Sequence, residues 1–404
     1  MKILHTSDWH IGRSLCEFSL LEDQEAWLDQ MEQVIREHQV DAVIAAGDLF
    51  DRSMPAADAV ALMDRIFSRL VGKLGVPVLG IAGNHDSPRR IDYGSSLLEA
   101  SGLYLAGSLS PTLRKVTLHD EQGPVHFFLL PYFTLPQLRA LFPDDPPSTL
   151  SEGFARLLSE NAGQFDWSQR NLLICHGFFL RLSHRGGEAP SLTDSAGQEC
   201  QLGTSELVDL TPADGFDYIA LGHIHRPQQA GRETARYCGS PLRYSLSEAQ
   251  VDNAFLLLDW PEKGQLTVER IPIQPRRQLR VVSGSFEQVL HTLEDPDTPV
   301  RREDYVFANI TGSGAILNAM SQLREVFPNA LGLQFISQAA TSSQALGPQL
   351  AELPLEELFS RFYEQVSGEE LTPQQQQLVR QLAQPQPESN EKGADPVCDP
   401  SALS

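Results

Sequence analysis

The stretch Asp41-Ala42-Val43-Ile44-Ala45-Ala46-Gly47-Asp48-Leu49-Phe50-Asp51 reads as a buried strand that breaks at a glycine and delivers carboxylates just beyond it. Upstream, Lys2–Ser7 is a short apolar strand ending at Asp8, and Leu28, Met31, Val34, Ile35 and His38 recur at helical spacing over roughly 20–38. Downstream, Val60, Met63, Ile66, Phe67 and Leu70 mark a second helix, and Val76–Gly83 a third strand. This β-α-β-α-β order predicts parallel strands with helices covering the sheet. In such sheets functional groups gather beyond the carboxyl ends of the strands. Asp8, Asp48 and Asn84 all stand there.

After Leu103 the pattern changes to strands: Thr112–Leu118, Val125–Leu130, Asn171–Cys175, Asp217–Leu221, Ala254–Asp259 and Leu266–Ile273. A helix-rich segment covers about 135–163, and a polar loop spans 181–200. The expected fold class is α/β (α+β): two sheets packed face to face and flanked by helices over 1–275. A small α+β module is expected over 276–340, from strand-like Leu279–Val282, a helix near 286–294, strand Tyr305–Thr311, helix 314–326 and strand Leu331–Ile336. A helical segment over 341–383 and a disordered, Gln- and Pro-rich tail over 384–404 complete the reading.

The bulk composition bounds the function. At 404 residues and 44.7 kDa, with 41% hydrophobic and 21% charged residues, the chain has the make-up of a globular protein of two or three domains. No apolar run approaches the roughly 18 residues of a membrane span. The N-terminus runs straight into a strand, so no signal peptide is expected. Five cysteines (16, 175, 200, 238 and 398) without CxxC pairing suit free thiols and a cytoplasmic location. The net charge of −22 argues against a broadly basic nucleic-acid binder. Part of that charge lies near the C-terminus, where Glu369, Glu370, Glu388, Glu391, Asp395 and Asp399 face only Arg380 and Lys392. Divalent cations in a cleft would reverse its sign locally, so acidity does not exclude a DNA substrate.

The chemistry lies in five short clusters: Asp8-Trp9-His10, Gly47-Asp48-Leu49-Phe50-Asp51, Gly83-Asn84-His85-Asp86, His176-Gly177 and Gly222-His223-Ile224-His225. Mixed oxygen and nitrogen donors suit manganese, iron or zinc better than calcium or magnesium alone. Two such ions supply an activated water and neutralise oxyanion charge in phosphate-ester hydrolysis. Asp48, following Gly47, is the candidate to bridge them. Asp8 and His10, alternating on one side of the chain, can clasp one ion with His225; Asn84, His176 and His223 can complete the other. On an extended segment His223 and His225 would face one side, each serving a different ion. His85 is not needed as a ligand; it could orient substrate or protonate a departing 3′ oxygen, with Asp86 orienting its ring. Singly these clusters are weak, since Gly83-Asn84-His85-Asp86 also has the make-up of a turn. The conjunction points to a site. His5, His38, His119, His126, His184 and His291 lack such partners and read as surface or satisfied core residues.

The series resembles the calcineurin-like metallophosphoesterase superfamily. More narrowly, Ile3–Gly12, Ala45–Asp51, Tyr218–Arg226 and Tyr237-Cys238-Gly239-Ser240-Pro241 are similar to the bacterial SbcD family of nuclease subunits. The resemblance covers 1–275 strongly and the remainder loosely. It implies Asp8, His10, Asp48 and His225 on one manganese, Asp48, Asn84, His176 and His223 on the other, and His85 as the catalytic histidine. It also implies 3′–5′ double-strand exonuclease and single-strand or hairpin endonuclease activity on DNA, in replication, recombination and repair. The partner implied is a coiled-coil ATPase of the SbcC type, with the nuclease as a homodimer within a heterotetramer. Asp51 stands where archaeal and eukaryotic relatives usually carry histidine. A hydrogen bond steadying the Asp48 loop and a metal contact are both open roles for it.

Two other readings compete. A phosphodiesterase or phosphatase for small molecules would need a closed pocket and leaves the C-terminal module unexplained. A non-catalytic scaffold would have lost ligands, and none is missing. Near the C-terminus, Leu355, Leu358, Phe359, Phe362 and Val366 form an apolar helical stripe, followed by a stop at Ser367-Gly368. Thr372-Pro373 with Gln375 then reads as the capped start of a second helix, with Leu378, Val379 and Leu382 on its apolar side. Two such short helices bury too little to stand alone, so a partner surface is their expected home.

Overall fold

The computed structural model describes residues 1–182, 207–294, 300–312, 316–336 and 371–383, together with 357, 359, 360 and 363. The first strand β1 (Lys2–Thr6) leads into helix α1 (Leu21–His38), strand β2 (Ala42–Ala45), helix α2 (Ala57–Phe67) and strand β3 (Val78–Ile81). The expected parallel pairing is present: Ile3 lies opposite Ala42 and Val43 opposite Val78. Strand β4 (Leu103–Ala106) extends the same sheet. Then come β5 (Arg114–Asp120), β6 (Gly123–Leu130), helices α3 (Leu135–Leu141) and α4 (Leu150–Glu160), β7 (Arg170–His176), β8 (Tyr218–Gly222), β9 (Gln228–Arg232), β10 (Ala235–Tyr237), β11 (Ala254–Asp259) and β12 (Thr267–Pro272). Two six-stranded sheets result, ordered β12-β11-β1-β2-β3-β4 and β9-β10-β8-β7-β6-β5.

Side-chain alternation along each strand explains the layering. Ile3, Ile44 and Leu79 point between the sheets, where they pack on Phe127, Leu172, Ile174 and Tyr218. Their neighbours Leu4, Val43 and Val78 point outward onto Trp27, Leu28, Met31, Leu62 and Ile66 of α1 and α2. On the far side, Phe128, Leu173, Cys175 and Ile219 meet Leu138, Phe154 and Leu157 of α3 and α4. The sandwich flanked by helices is thus present. Sequence periodicity did not foresee β4 or the β9–β10 hairpin. Gln228–Arg232 is largely polar and buries only Ala230, so it offers no apolar pattern to read.

A further sheet, β13-β14-β15, is formed by β13 (Leu279–Gly284), β14 (Tyr305–Thr311) and β15 (Ala330–Ile336), with helices α5 (Phe286–Leu290) and α6 (Ala319–Val326) between its strands. The chain divides into two compact units: Met1–Val282 with Leu293–Phe307 and Met320–Gly332, and Ser283–Thr292 with Ala308–Ala319 and the remainder from Leu333. Within the first unit, Leu279 and Tyr305 pack with Leu15, Leu20, Leu242 and Tyr244. Arg277 bonds Asp23 at 2.7 Å and Glu22 at 2.6 Å, at the start of α1. In the second unit, helix α7 (Pro373–Ala383) begins at the expected cap, where Thr372 N–H donates to Gln375 Oε1 at 2.8 Å. Most of the expected 181–200 loop, most of the stripe from Leu355 to Val366 and all of the 384–404 tail lie outside the described residues.

Candidate metal centre

The site is built from the carboxyl ends of two sets of parallel strands. β1, β2 and β3 end in the loops carrying Asp8 and His10, Asp48 and Asp51, and Asn84 and His85. In the second sheet His176 closes β7, and β8 runs beside it in parallel before His223 and His225. The first two loops are laced together: Asp8 N–H donates to the Gly47 carbonyl at 3.0 Å, His10 N–H to Asp48 at 2.9 Å and Ile11 N–H to Leu49 at 3.0 Å.

The backbone corrects one expectation. Asp8 and His10 do not alternate along an extended chain, and neither do His223 and His225. Asp8 (φ 51°), His10 (φ 44°), Asp48 (φ 49°) and His223 (φ 103°) all have positive φ. Left-handed backbone costs a non-glycine residue about 1–2 kcal/mol, and the interloop bonds hold it. The gain is convergence, because tight turns aim successive polar side chains into one small volume. Glycines complete the fit. A Cβ on Gly47 (φ 90°) would strike the His176 ring, and one on Gly83 the Asp48 carboxylate.

All seven residues expected as ligands come together. Asp8, His10 and His225 offer donor atoms within 4.8 Å of one another, as do Asp8, Asp48 and His176. The Nε2 atoms of His10 and His225 lie 3.2 Å apart. Asn84 Oδ1 stands 3.1 Å from His176 Nε2 and 2.8 Å from His223 Nδ1. Asp48 Oδ2 lies between the two groups, 3.5 Å from His10 Nε2 and 3.4 Å from His176 Nε2. Each cluster mixes carboxylate or amide oxygen with imidazole nitrogen, a donor set that fits divalent metal ions.

Ring orientation is set from behind. His176 Nδ1 donates to the Ala46 carbonyl at 2.8 Å, leaving Nε2 toward Asp48. His225 Nδ1 meets Glu248 Oε1 at 3.1 Å. Asp8 accepts the His223 backbone N–H at 2.9 Å. Burial disfavours charge throughout, yet the Asp48 carboxylate outweighs it at His176 and lifts that imidazole to about 9. His223, buried and facing the His176 charge, falls to about 3. The Asp48 carboxyl is held well below the ordinary range: burial opposes ionisation, but His176 and His10 overcome it.

His85 is tied in by its backbone N–H to Asp48 Oδ1 at 2.9 Å, and its ring Nδ1 faces the Asp51 carbonyl at 2.9 Å. Asp86 does not orient that ring, contrary to expectation. Its carboxylate turns inward and accepts Leu49, Phe50 and Gly83 N–H groups at 2.9 Å each, fastening the Asp48 loop. Burial and then the Asp48 charge push Asp86 up to about 6. The Asp51 carboxylate takes the Arg13 guanidinium at 2.8 Å and lies 3.6 Å from His10 Nδ1.

Sequence reasoning missed Glu248 and Tyr244. Tyr244 donates to the Trp9 carbonyl at 2.5 Å and sets its ring edge-on to His10 and His225. The pattern Ser245-x-x-Glu248, a capping-box signature, was the available signal. A cleft of ≈ 390 Å³ also opens beside Asn84, His176 and His223, walled by Tyr132, Phe133, Phe178 and Phe179.

Comparison with known proteins identifies the family. Residues 1–227 match the calcineurin-like phosphoesterase family, and residues 275–367 match the type 5 capsule protein repressor C-terminal domain. The SbcD subunit of the SbcCD nuclease from Staphylococcus saprophyticus is 30% identical over 95% of this chain and 97% of its own. Its counterpart from Staphylococcus epidermidis is 32% identical over 82% of this chain and 85% of its own. Among solved structures, a dimetal phosphatase from Danio rerio aligns over 68% of this chain and 99% of its own at 14% identity, with a TM-score of 0.38. The chain therefore belongs to the calcineurin-like phosphoesterases and, within them, to the SbcD family of SbcCD nuclease subunits: it is a metal-dependent nuclease.

Proposed function

We propose that the centre holds two manganese ions and cuts DNA at ends and hairpins, as a 3′–5′ double-strand exonuclease and a single-strand endonuclease. The observation that carries this reading is the Asp48 carboxylate, set between His10 of one donor group and His176 of the other. Asp8, His10, Asp48 and His225 would hold one ion; Asp48, Asn84, His176 and His223 would hold the second. When bound, the ions supply an activated water and neutralise the charge of the phosphate. The protein supplies the rest. His85, braced through Nδ1 by the Asp51 carbonyl, keeps its Nε2 for the substrate side, where it protonates the departing 3′ oxygen. Tyr132 and Phe178, flanking His223, give the nucleoside beside the scissile bond an aromatic wall.

The SbcCD name carried by the relatives supports a partner of the SbcC type, which we take to be a coiled-coil ATPase. Its DNA-binding surface would offset the −22 charge of this chain. A homodimer of the nuclease within a heterotetramer, in the cytoplasm, is the assembly we propose. No helix among the described residues is long and apolar enough to cross a membrane. The test is a gel assay with manganese and a labelled DNA hairpin beside a generic phosphate ester, with and without the ATPase. Hairpin cleavage stimulated by the ATPase is the expected result. Turnover of the ester alone would favour a small-molecule phosphodiesterase.

A further inference from the structure

Imidazole presents one lone pair when neutral, and the group bonded to the other nitrogen decides which. In this centre two rings are set by backbone carbonyls, His176 by Ala46 and His85 by Asp51. His225 is set by a side chain instead. Its Nδ1 meets Glu248 Oε1 at 3.1 Å, and its Nε2 faces His10 Nε2 at 3.2 Å.

Glu248 is itself immobilised. Its side chain is 2% exposed. Oε1 accepts the Ser245 hydroxyl at 2.8 Å, and Oε2 accepts the Tyr244 N–H at 2.9 Å. Ser245 is the N-cap of the single 3₁₀ turn Leu246–Glu248, and Tyr244 is the residue just before that cap. The carboxylate is therefore held by its own turn and reaches His225 without depending on it. A buried carboxylate costs free energy unless its lone pairs are satisfied; here they are, and the remaining acceptor capacity points at the imidazole.

We propose that Glu248 is a positioning residue, which accepts the Nδ1 proton of His225 and so turns the Nε2 lone pair toward Asp8, His10 and Asp48. The proposal rests on the reading of His225 as a metal ligand. Losing such an outer partner typically weakens metal binding by about 10–100-fold.

The experiment uses the full chain labelled with ¹⁵N-histidine, stripped of metal and held at a pH where His225 is neutral. In the parent, His225 should show the Nδ1–H form. Glu248→Ala should shift it toward a mixture with the Nε2–H form and weaken one of two manganese ions by about 10–100-fold, leaving the other unchanged. Ser245→Ala trims the same turn but keeps the acceptor, and should leave both tautomer and metals as in the parent. An unchanged tautomer in Glu248→Ala overturns the proposal, as does equal damage from Ser245→Ala. His225→Ala separates the two levels of argument. If it retains both ions, the ligand reading fails with the proposal; if it loses one while Glu248→Ala loses none, only the proposal fails.

Discussion

Asp48 turns one carboxylate oxygen toward imidazoles from two different sheets, while its other oxygen receives the His85 N–H. Removing it should therefore empty both metal positions. Asp48→Ala is expected to lose both manganese ions in calorimetry, whereas His225→Ala should weaken chiefly one. Two intact sites in Asp48→Ala would end the bridging assignment. Donor atoms of His85, His10 and Asp51 also lie within 4.8 Å of one another; on the proposed assignment His85 is not a ligand, so His85→Ala should keep both ions and its melting temperature. Its cleavage should fall by about 10²–10⁴-fold, the usual contribution of a positioned acid. Parental cleavage would remove His85 from that role, and loss of manganese would make it a ligand. These residues were legible because each polar group interrupts an apolar strand just past its end. Asp86 was misread for a local reason: on a turn, neighbours in sequence point apart, so adjacency to His85 carried no orientation. Glu248 was missed because only the capping pattern Ser245-x-x-Glu248 marks it, and no apolar strand ends beside it.

At the scale of elements, periodicity found the strands and helices with buried faces and failed where burial is slight. β1 and β2 bury nearly every residue, whereas β9 buries one of five. Left-handed turns were also out of reach, since nothing in Asp8 or His10 announces a positive φ. The C-terminal helices bear the prediction at this level. Helix α7 is capped by Thr372 and Gln375, which exchange bonds of 2.8 and 3.4 Å. Capping contributes only about 1 kcal/mol, too little to stabilise an isolated helix of this length. Truncation after Ala351 should preserve manganese-dependent cutting of small substrates and abolish co-purification with the ATPase. Binding at parental affinity by the truncated chain would show that the docking element lies elsewhere.

For the whole molecule, buried titratable groups set an acid and an alkaline limit on the metal-free fold. Burial lowers His5 to about 3 from 6.5, and its Nε2 has no hydrogen-bond partner. The unfolded chain then binds more protons than the native one between these values. Stability from keeping His5 neutral is complete above pH 6.5 and is lost as pH falls toward 3, by up to about 1.4 kcal/mol per pH unit. His223, also near 3, acts in the same direction. His176 has the opposite sign: raised to about 9 by Asp48 despite burial, it contributes stability that is complete below 6.5 and lost as pH rises through 9. Urea midpoints measured with chelator should therefore peak between these limits, and His5→Gln should flatten the acid side. An unchanged acid slope in that variant would remove His5 from the account.

The pairing of β1 with β11 carries a consequence for biosynthesis. Lys2 lies opposite Asp259 and His5 opposite Leu256, so the first strand made waits for one of the last strands of its sheet. His225, too, is translated more than two hundred residues after Asp8. At about 5–20 residues per second, the ribosome takes roughly 10–50 s to deliver both. During that interval the nascent chain has no complete centre and no cutting activity. Chains stalled or released before His225 therefore lack part of the donor set, and the order of translation itself withholds the nuclease until most of its two-sheet domain has been made.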